Sequence, residues 1–488
     1  MFPNILFPGV ENSRSPTGSV SMDGDTIAAL NKALTAGYGT DTSLLTGGSA
    51  FRIQSLDKTM YATIQENKHF RLINALPKTN AGATVDEWTE QSGVGGFLGG
   101  STNTEDGQIR METGTYNRRT AQVKYLMTRR QVSFVATLGN NIVEAEAIEA
   151  QAGAIKLLTD AEFLSFEGDS SVVPTEFDGI DKQLRDGVAG GQVDSGNIID
   201  ARAASLNSVN LLNQSAAQIA RLGNFGIPTH IFTSLGVQQD FDTGLDPAFR
   251  VPLTDVPGGG IQIGAPVVGI RTSHGNIATC PDVFVRDQDQ LVPFQLIQSA
   301  LATANTGMKP TVSPAATSDA ASLFNTGQDG NYYYAVAGLN GNGQSDVVIS
   351  SQVAVAVGDK VTLTITASGG NAETGYAVYR GRKNGTNAVT DFRLIGRIAK
   401  AGATTPFVDL NRDIPGTVKA FVLNLSPGYG AMSWRQLLPM MKFPLYATDS
   451  PIVPWAQLLF GYLRMTKRRQ HVVIKNILPT GATWRPFG

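Results

Sequence analysis

The chain has a single cysteine, Cys280, in 488 residues, so no disulfide can close within it and an oxidising compartment is not indicated. Between Thr279 and Pro281 that thiol reads as a small apolar filler rather than a nucleophile. Charge is scarce too: Asp, Glu, Lys and Arg make up 16% of the residues, with a formal net charge of −2, where about a quarter is usual. No global field draws such a chain to nucleic acid or to a membrane. No run of about 18 apolar residues occurs, so no helical membrane span is expected. The opening "MFPNILFPGVENS" has neither the positive flank nor the apolar run of a signal peptide, and an intracellularly made, soluble protein is expected.

Catalytic signatures are missing as well. There is no G-x-x-x-x-G-K-[ST] phosphate loop, no G-x-S-x-G elbow, no H-E-x-x-H pair and no Cys/His cluster. His69, His230, His274 and His471 stand far apart, without metal-ligand spacing, and each reads as a satisfied core or surface histidine. The tracts "GVGGFLGG" (93–100) and "GGG" (258–260) lack the strand-then-helix setting of a dinucleotide fingerprint and read as loops. Asp287 and Asp289 in "RDQDQ" lack the further oxygen ligands a cation needs and read as a solvated turn. Asn384-Gly385-Thr386 matches a glycosylation sequon but reads as a turn. No catalytic, cofactor-binding or metal residue is assigned; neither enzymatic activity nor a cofactor is expected.

What the chain does have is length enough for about three domains, 53 glycines and 42% apolar residues, which suits a surface largely covered by copies of itself. Residues 1–50 are rich in Gly, Ser, Thr and Asn and form an extended arm that needs something to lie against. Residues 55–77 read as a helix capped by Ser55, carrying Met60, Ile64 and Phe70, and stopped by Pro77. From "ATVDEWTEQSG" to "RRQVSF", alternation at both ends and glycine in the middle predict a long two-stranded excursion with a flexible tip. Residues 141–167 carry Val143, Ala147, Ala150, Ala154, Leu157, Ala161 and Leu164 at spacings of 4 and 3, one face of a helix.

Residues 176–308 read as mixed α/β, with a helix in "SLNSVNLLNQSAAQIARLGN" and strands in "PTHIFTS", "IQIGAPVVGIRTSHGNIAT" and "DVFVRD". Residues 309–413 change to short strands at sandwich-like spacing: "YYYAVAG", "VVISSQVAVAV", "VTLTITAS", "YAVYRG", "FRLIGRIA" and "PFVDL". Residues 414–488 do not continue this pattern, so 309–413 is an insertion. On "YYYAVAGLNGNGQS" and "GYAVYRG" it resembles a fibronectin type III or immunoglobulin-like module.

Charge is unevenly spread. Residues 417–488 hold nine Lys/Arg against Asp449 alone, while 141–170 hold seven acids against Lys156 alone. Either these are two solvated faces or the segments meet and set register. Lys467-Arg468-Arg469 offers charge for phosphates, but no aromatic residues interleave with it, and nucleic-acid binding is weighted low.

Taken in order, the arm, helix, long hairpin, acidic helix, α/β region and closing strands resemble the major capsid proteins of tailed bacteriophages, with their HK97-type fold. The stretches 200–241, "GAPVVGIRTSHGNIATCPDVFV" and "HVVIKNI" carry that resemblance. It implies an α+β fold divided into an N-arm (1–50), helix and extended loop (51–140), spine helix of a peripheral domain (141–175), axial domain (176–308), outward-facing insertion (309–413) and a C-terminal segment completing the core (414–488). It implies self-assembly into hexamers and pentamers of an icosahedral shell around double-stranded DNA, assembled in the host bacterial cytoplasm. The DNA would be contacted weakly and without sequence specificity, and no membrane is involved. A portal protein at one vertex is the further implied partner, with scaffolding and decoration proteins as others. Some members crosslink a loop lysine to a neighbour; the tip from 90 to 117 has no lysine, so that chemistry is not carried over. Removal of an N-terminal scaffolding segment is not expected either, since no charged helical stretch precedes the arm. The rival readings are a surface adhesin carrying a sandwich module, an enzyme with a binding module, and another virion structural protein.

Overall fold

The structure is a computed structural model that describes residues 69–97, 99–138, 145–207, 209–222, 226–244, 267–287, 309–370, 372–447 and 450–488, all within one compact unit. The arm 1–50, residues 55–68 of the helix expected at 55–77, Val143, the 258–260 glycines and Asp289 lie outside these residues. Six helices are described: α1 Leu72–Ala75, α2 Phe134–Leu138, α3 Ala145–Glu167, α4 Ile180–Ala189, α5 Asn210–Leu222 and α6 Leu235–Gly244. Strands β1–β4 are Lys78–Asn80, Val85–Gly93, Thr115–Gln122 and Lys124–Ser133; β5–β8 are Ile198–Asp200, His230–Thr233, Gly269–Thr272 and Gly275–Pro281. Then β9–β13 are Thr311–Ser318, Gly330–Tyr332, Tyr334–Asn340, Gly343–Gln344 and Val348–Ile349. Strands β14–β18 are Val353–Val355, Asp359–Thr366, Gly375–Gly381, Phe392–Ala399 and Thr404–Asp409. Finally β19–β22 are Val418–Leu423, Met432–Pro444, Ile452–Met465 and Val472–Ile477.

Helix α1 stops because Leu76 turns extended, as the residue before Pro77 must. The excursion expected to run to Ser133 divides in two. Only β2 and β3 pair with each other. Between them and β4, the fully buried Val123 donates to the Thr84 carbonyl at 2.8 Å and closes the hairpin. Strand β4 then joins a four-stranded sheet in the order β1-β20-β21-β4. Alternation announces a strand but not its partner, so the same period fitted both arrangements.

Helix α3 is 23 residues, about 35 Å of rod. Its burial departs from the single stripe expected. Ala147 is exposed, and burial begins at Gly153 and then includes Ile155, Leu157, Thr159, Ala161, Glu162, Ser165 and Phe166. The C-terminal half is enclosed on more than one side. Thr159 and Ser165 satisfy their hydroxyls by donating to the carbonyls of Ile155 and Ala161, at 2.8 and 2.7 Å. At Gly153 the Gln457 side chain crosses the helix and donates to the Ala150 carbonyl at 2.6 Å. A Cβ there would sit 2.0 Å from the Gln457 amide oxygen, so a larger residue would push that side chain aside.

A six-stranded sheet, β5-β22-β19-β6-β8-β7, forms the second layer of core with α3, α4, α5 and α6. "DVFVRD" (282–287) is not a strand: the chain turns there and buries Phe284 and Val285. Strands β6 and β8 precede the insertion and β19 and β22 follow it, yet all four lie in this one sheet. Residues 309–413 therefore leave the sheet and return to it.

Between those points two sheets, β18-β15-β9 and β12-β11-β16-β17, close on one core that includes Tyr332, Tyr334, Leu363, Ile365, Val378 and Ile395. Val361, Leu363 and Ile365 point inward, while Thr364 and Thr366 are exposed, the alternation read from "VTLTIT". Both outer strands of the first sheet carry a mid-strand proline, Pro314 and Pro406. Proline lacks the N–H that a further strand would need, which blunts these edges.

Candidate assembly surfaces

The β2–β3 hairpin has two faces. Val85, Glu87, Thr89 and Gln91 are exposed, whereas Asp86, Trp88, Glu90 and Ser92 turn toward the body of the protein. Asp86 accepts from Arg435 at 2.8 and 3.1 Å and from the Tyr462 hydroxyl at 2.6 Å. Burial works to raise the Asp86 carboxyl, but these hydrogen bonds outweigh it and hold it below the ordinary carboxylate range. Trp88 stacks under the Arg464 guanidinium at 5.9 Å. Glu90 accepts from Arg468 at 2.9 Å, and the Gln192 side-chain carbonyl accepts from both Arg468 and Arg119. Arg469 donates to the Ser92 carbonyl at 2.9 Å.

Beyond a bulge between Gln91 and Gly93 the clamping stops. In the tip, Val94, Phe97, Ile109 and Met111 are 66–95% exposed. Four large apolar side chains in water are a surface that a second molecule would cover.

Arg468 and Arg469 thus hold the hairpin rather than an outside phosphate, and Arg468 is buried. The acidic and basic segments do meet: Lys442 pairs with Glu146, and Lys419 lies 3.1 Å from Glu167 and 3.0 Å from Asp181. Burial opposes ionisation of Asp181, but Lys419 and Arg185 bring its pKa down to about 2.

Lys419 opens onto a cavity of ≈ 260 Å³ between the sandwich and the rest of the chain, lined also by Glu167, Arg286, Ile395, Arg397 and Phe407. Around it the sandwich is fastened down. Val172 and Val173 pack on Ala335, Ala337, Leu339 and Tyr379. Arg397 donates to both Glu176 oxygens at 2.9 Å. Trp484, from the C-terminal segment, donates to the Asp391 carbonyl at 3.2 Å beneath the guanidinium groups of Arg382 and Arg393.

A further joint lies where α1, α3 and β8 meet. Glu162 accepts from the Leu72 and Ile73 amides at 2.6 and 2.9 Å, capping α1 from another helix. Beside it is Asp282, also buried. Burial and the neighbouring Asp282 push Glu162 well above the carboxylate range, and burial lifts Asp282 to about 6.

The other singled-out residues do not converge. Cys280 is half-buried on β8, its thiol pushed up by burial. His471 is fully buried, His230 is half-buried and His274 is exposed. Among the described residues no group of three or more His, Cys, Asp or Glu is placed to hold a metal ion. Asp287 is buried, not the solvated turn expected, because the chain folds back at 282–287. Asn384 takes a left-handed conformation (φ 52°) in a turn where Thr386 donates its amide to Asp391 at 2.9 Å. The 93–100 glycines lie at the hairpin tip. The hairpin clamps were not found from sequence, although Asp86, Trp88 and Glu90 at alternate positions were the available signal.

No family model matches the chain. Over 469 residues, 91% of this chain and 94% of the relative, it is 27% identical to the assigned major capsid protein of Enterococcus phage phiEF24C. Over 466 residues, with the same coverage, it is 24% identical to the major capsid proteins of Staphylococcus phages S25-3 and K. The chain is a relative of tailed-phage major capsid proteins. Its fold is mixed α+β. Solved structures similar to this capsid relative include the capsid of the native GTA particle (TM-score 0.45, 8% identity, 88% of this chain and 96% of that one). Another is from Mycobacterium phage Adephagia (TM-score 0.42, 10% identity, 88% and 95%).

Proposed function

We infer that this chain is a capsid shell protein that associates with copies of itself, and that it forms the hexamers and pentamers of an icosahedral phage head around double-stranded DNA. The observation that carries the reading is the β2–β3 hairpin, held to the body at its base and presenting Val94, Phe97, Ile109 and Met111 to water at its tip. A folded body that fixes an apolar projection has prepared a contact with another molecule, and repetition over a closed lattice makes modest contacts sufficient. In this reading β2–β3 is the extended loop, α3 the spine helix, and the six-stranded sheet the axial domain. The 309–413 sandwich is an immunoglobulin-like insertion. The role of the protein is structural rather than catalytic, and assembly takes place in the host cytoplasm. A portal protein occupies one vertex, scaffolding and decoration proteins are further candidate partners, and DNA contact is weak because Arg468 and Arg469 of the basic run are engaged internally.

Expression of the chain alone, followed by negative-stain electron microscopy and light scattering, tests this. Rings of five and six or closed shells are expected. A monodisperse monomer whose exposed hairpin tip binds nothing would contradict it.

A further inference from the structure

Arg468 and Arg119 bring two guanidinium groups to one side-chain carbonyl, that of Gln192, and the Glu90 carboxylate accepts from Arg468 there. Arg119 belongs to β3, Glu90 to β2, Gln192 to the loop after α4, and Arg468 to the turn between β21 and β22. Both strands of the hairpin are therefore tied to two separate parts of the body, Arg119 standing opposite Trp88 and Glu90 two residues nearer the tip. Arg468 is 1% exposed and Glu90 8%. Burial and the charge of Arg468 hold the Arg119 guanidinium below its usual range, with Glu90 opposing. Nearer the hairpin root, Asp86 and Trp88 fix the strand to β20 and β21. The Glu90 level is the last strong fastening before the bulge at 91–93, and past it the tip is free of the body.

We propose that the Glu90–Arg468 pair sets the angle at which the hairpin leaves the body, and that through this angle it determines the diameter of the particle a second copy helps to build. The inference rests on the shell reading above. The physical reason is leverage. Val94 and Phe97 lie four and seven residues past Glu90, and Met111 and Ile109 eight and ten before Arg119, so a small rotation at the clamp becomes a larger displacement of these tip side chains. Losing the Glu90 carboxylate also removes the hydrogen-bonded counter-charge of Arg468 and leaves its repulsion of Arg119 less opposed, which loosens the hairpin base from the body.

The test uses the full chain with Glu90→Gln, and separately Arg468→Lys, which keeps the charge. Amide hydrogen exchange across 85–92 and 115–122 should quicken about tenfold in Glu90→Gln, as expected for a lost charge-assisted bond. Exchange in α3 should not move. Particles of Glu90→Gln should show a shifted or mixed diameter by electron microscopy, and Arg468→Lys should lie nearer to the unaltered chain. Unchanged exchange in the hairpin overturns the proposal, as does a single particle diameter equal to that of the unaltered chain. If the unaltered chain forms no particle, the shell reading itself has failed, and the diameter claim falls with it.

Discussion

Arg380 of β16 and Asp409 of β18 face each other across the interior of the sandwich, 2.6 Å apart and both buried. Phe324 and Tyr332 cover the guanidinium at 5.2 and 5.4 Å, the Tyr334 hydroxyl donates to Asp409 at 2.9 Å, and Asn411 accepts from Arg380 at 2.8 Å. The tyrosine run that dominates the sequence of this region is thus the lining of a buried ion pair. Arg380→Met strands Asp409 without its cation and should cost about 3–5 kcal/mol. Adding Asp409→Asn should recover part of that. Urea unfolding midpoints of the single and double variants decide it; a single variant as stable as the parent refutes the role.

His471 should make the fold acid-sensitive. Burial depresses its pKa to about 4, so the native state holds it neutral. A depressed histidine contributes stability that is complete above the ordinary 6.5 and is lost as pH falls from there toward 4. Between pH 7 and pH 5 the loss should be about 2 kcal/mol from this group. Chemical unfolding at both values, with His471→Asn as control, checks this. The control should show a flatter pH dependence.

The Glu162–Asp282 joint should act in the opposite sense. Both carboxyls are raised, Glu162 by burial and by Asp282, and Asp282 by burial to about 6. Raised groups contribute stability that is complete below the ordinary carboxylate range and is lost as pH climbs through 6. Glu162→Gln keeps an acceptor for the α1 amides and imitates the protonated acid. It should therefore remove the part of the decline between pH 5 and pH 8 that Glu162 contributes, seen as a smaller fall in thermal midpoint than in the parent. A fall as large as the parent's rules this out.

Deleting 309–413 behind a short linker should not leave a healthy body. Val172, Val173 and Trp484 are almost fully buried, and their partners include the sandwich. Their exposure should lower the thermal midpoint and promote aggregation. Polar replacements at Val172 and Val173 in the deletion should restore solubility. If the plain deletion matches the parent in both measures, the sandwich is a passive attachment.

Much of the architecture was legible because period and composition are local properties. The 4-and-3 spacing in 141–167 predicted a helix, which the structure shows over 145–167, and alternation in "VTLTIT" specified which side chains turn inward. Pro77 marked a stop that the structure keeps within two residues. The spine's enclosed C-terminal half was not legible, since Thr159, Glu162 and Ser165 are polar by type and buried only by what surrounds them. The basic run at 467–469 looked like a surface feature for the same reason.

By itself the sequence determined many of the strands, the long helix and the change to short strands at 309, though it also read 282–287 as a strand where the chain turns. Only the tertiary structure decided that β4 leaves the hairpin for β21, that Arg468 reaches back to Glu90, and that the insertion is fastened by Val172, Val173 and Trp484. The division has a physical origin. Backbone preference and hydrophobic period act over a few residues, whereas strand partners and buried charge pairs join positions hundreds of residues apart and exist only once the core has closed.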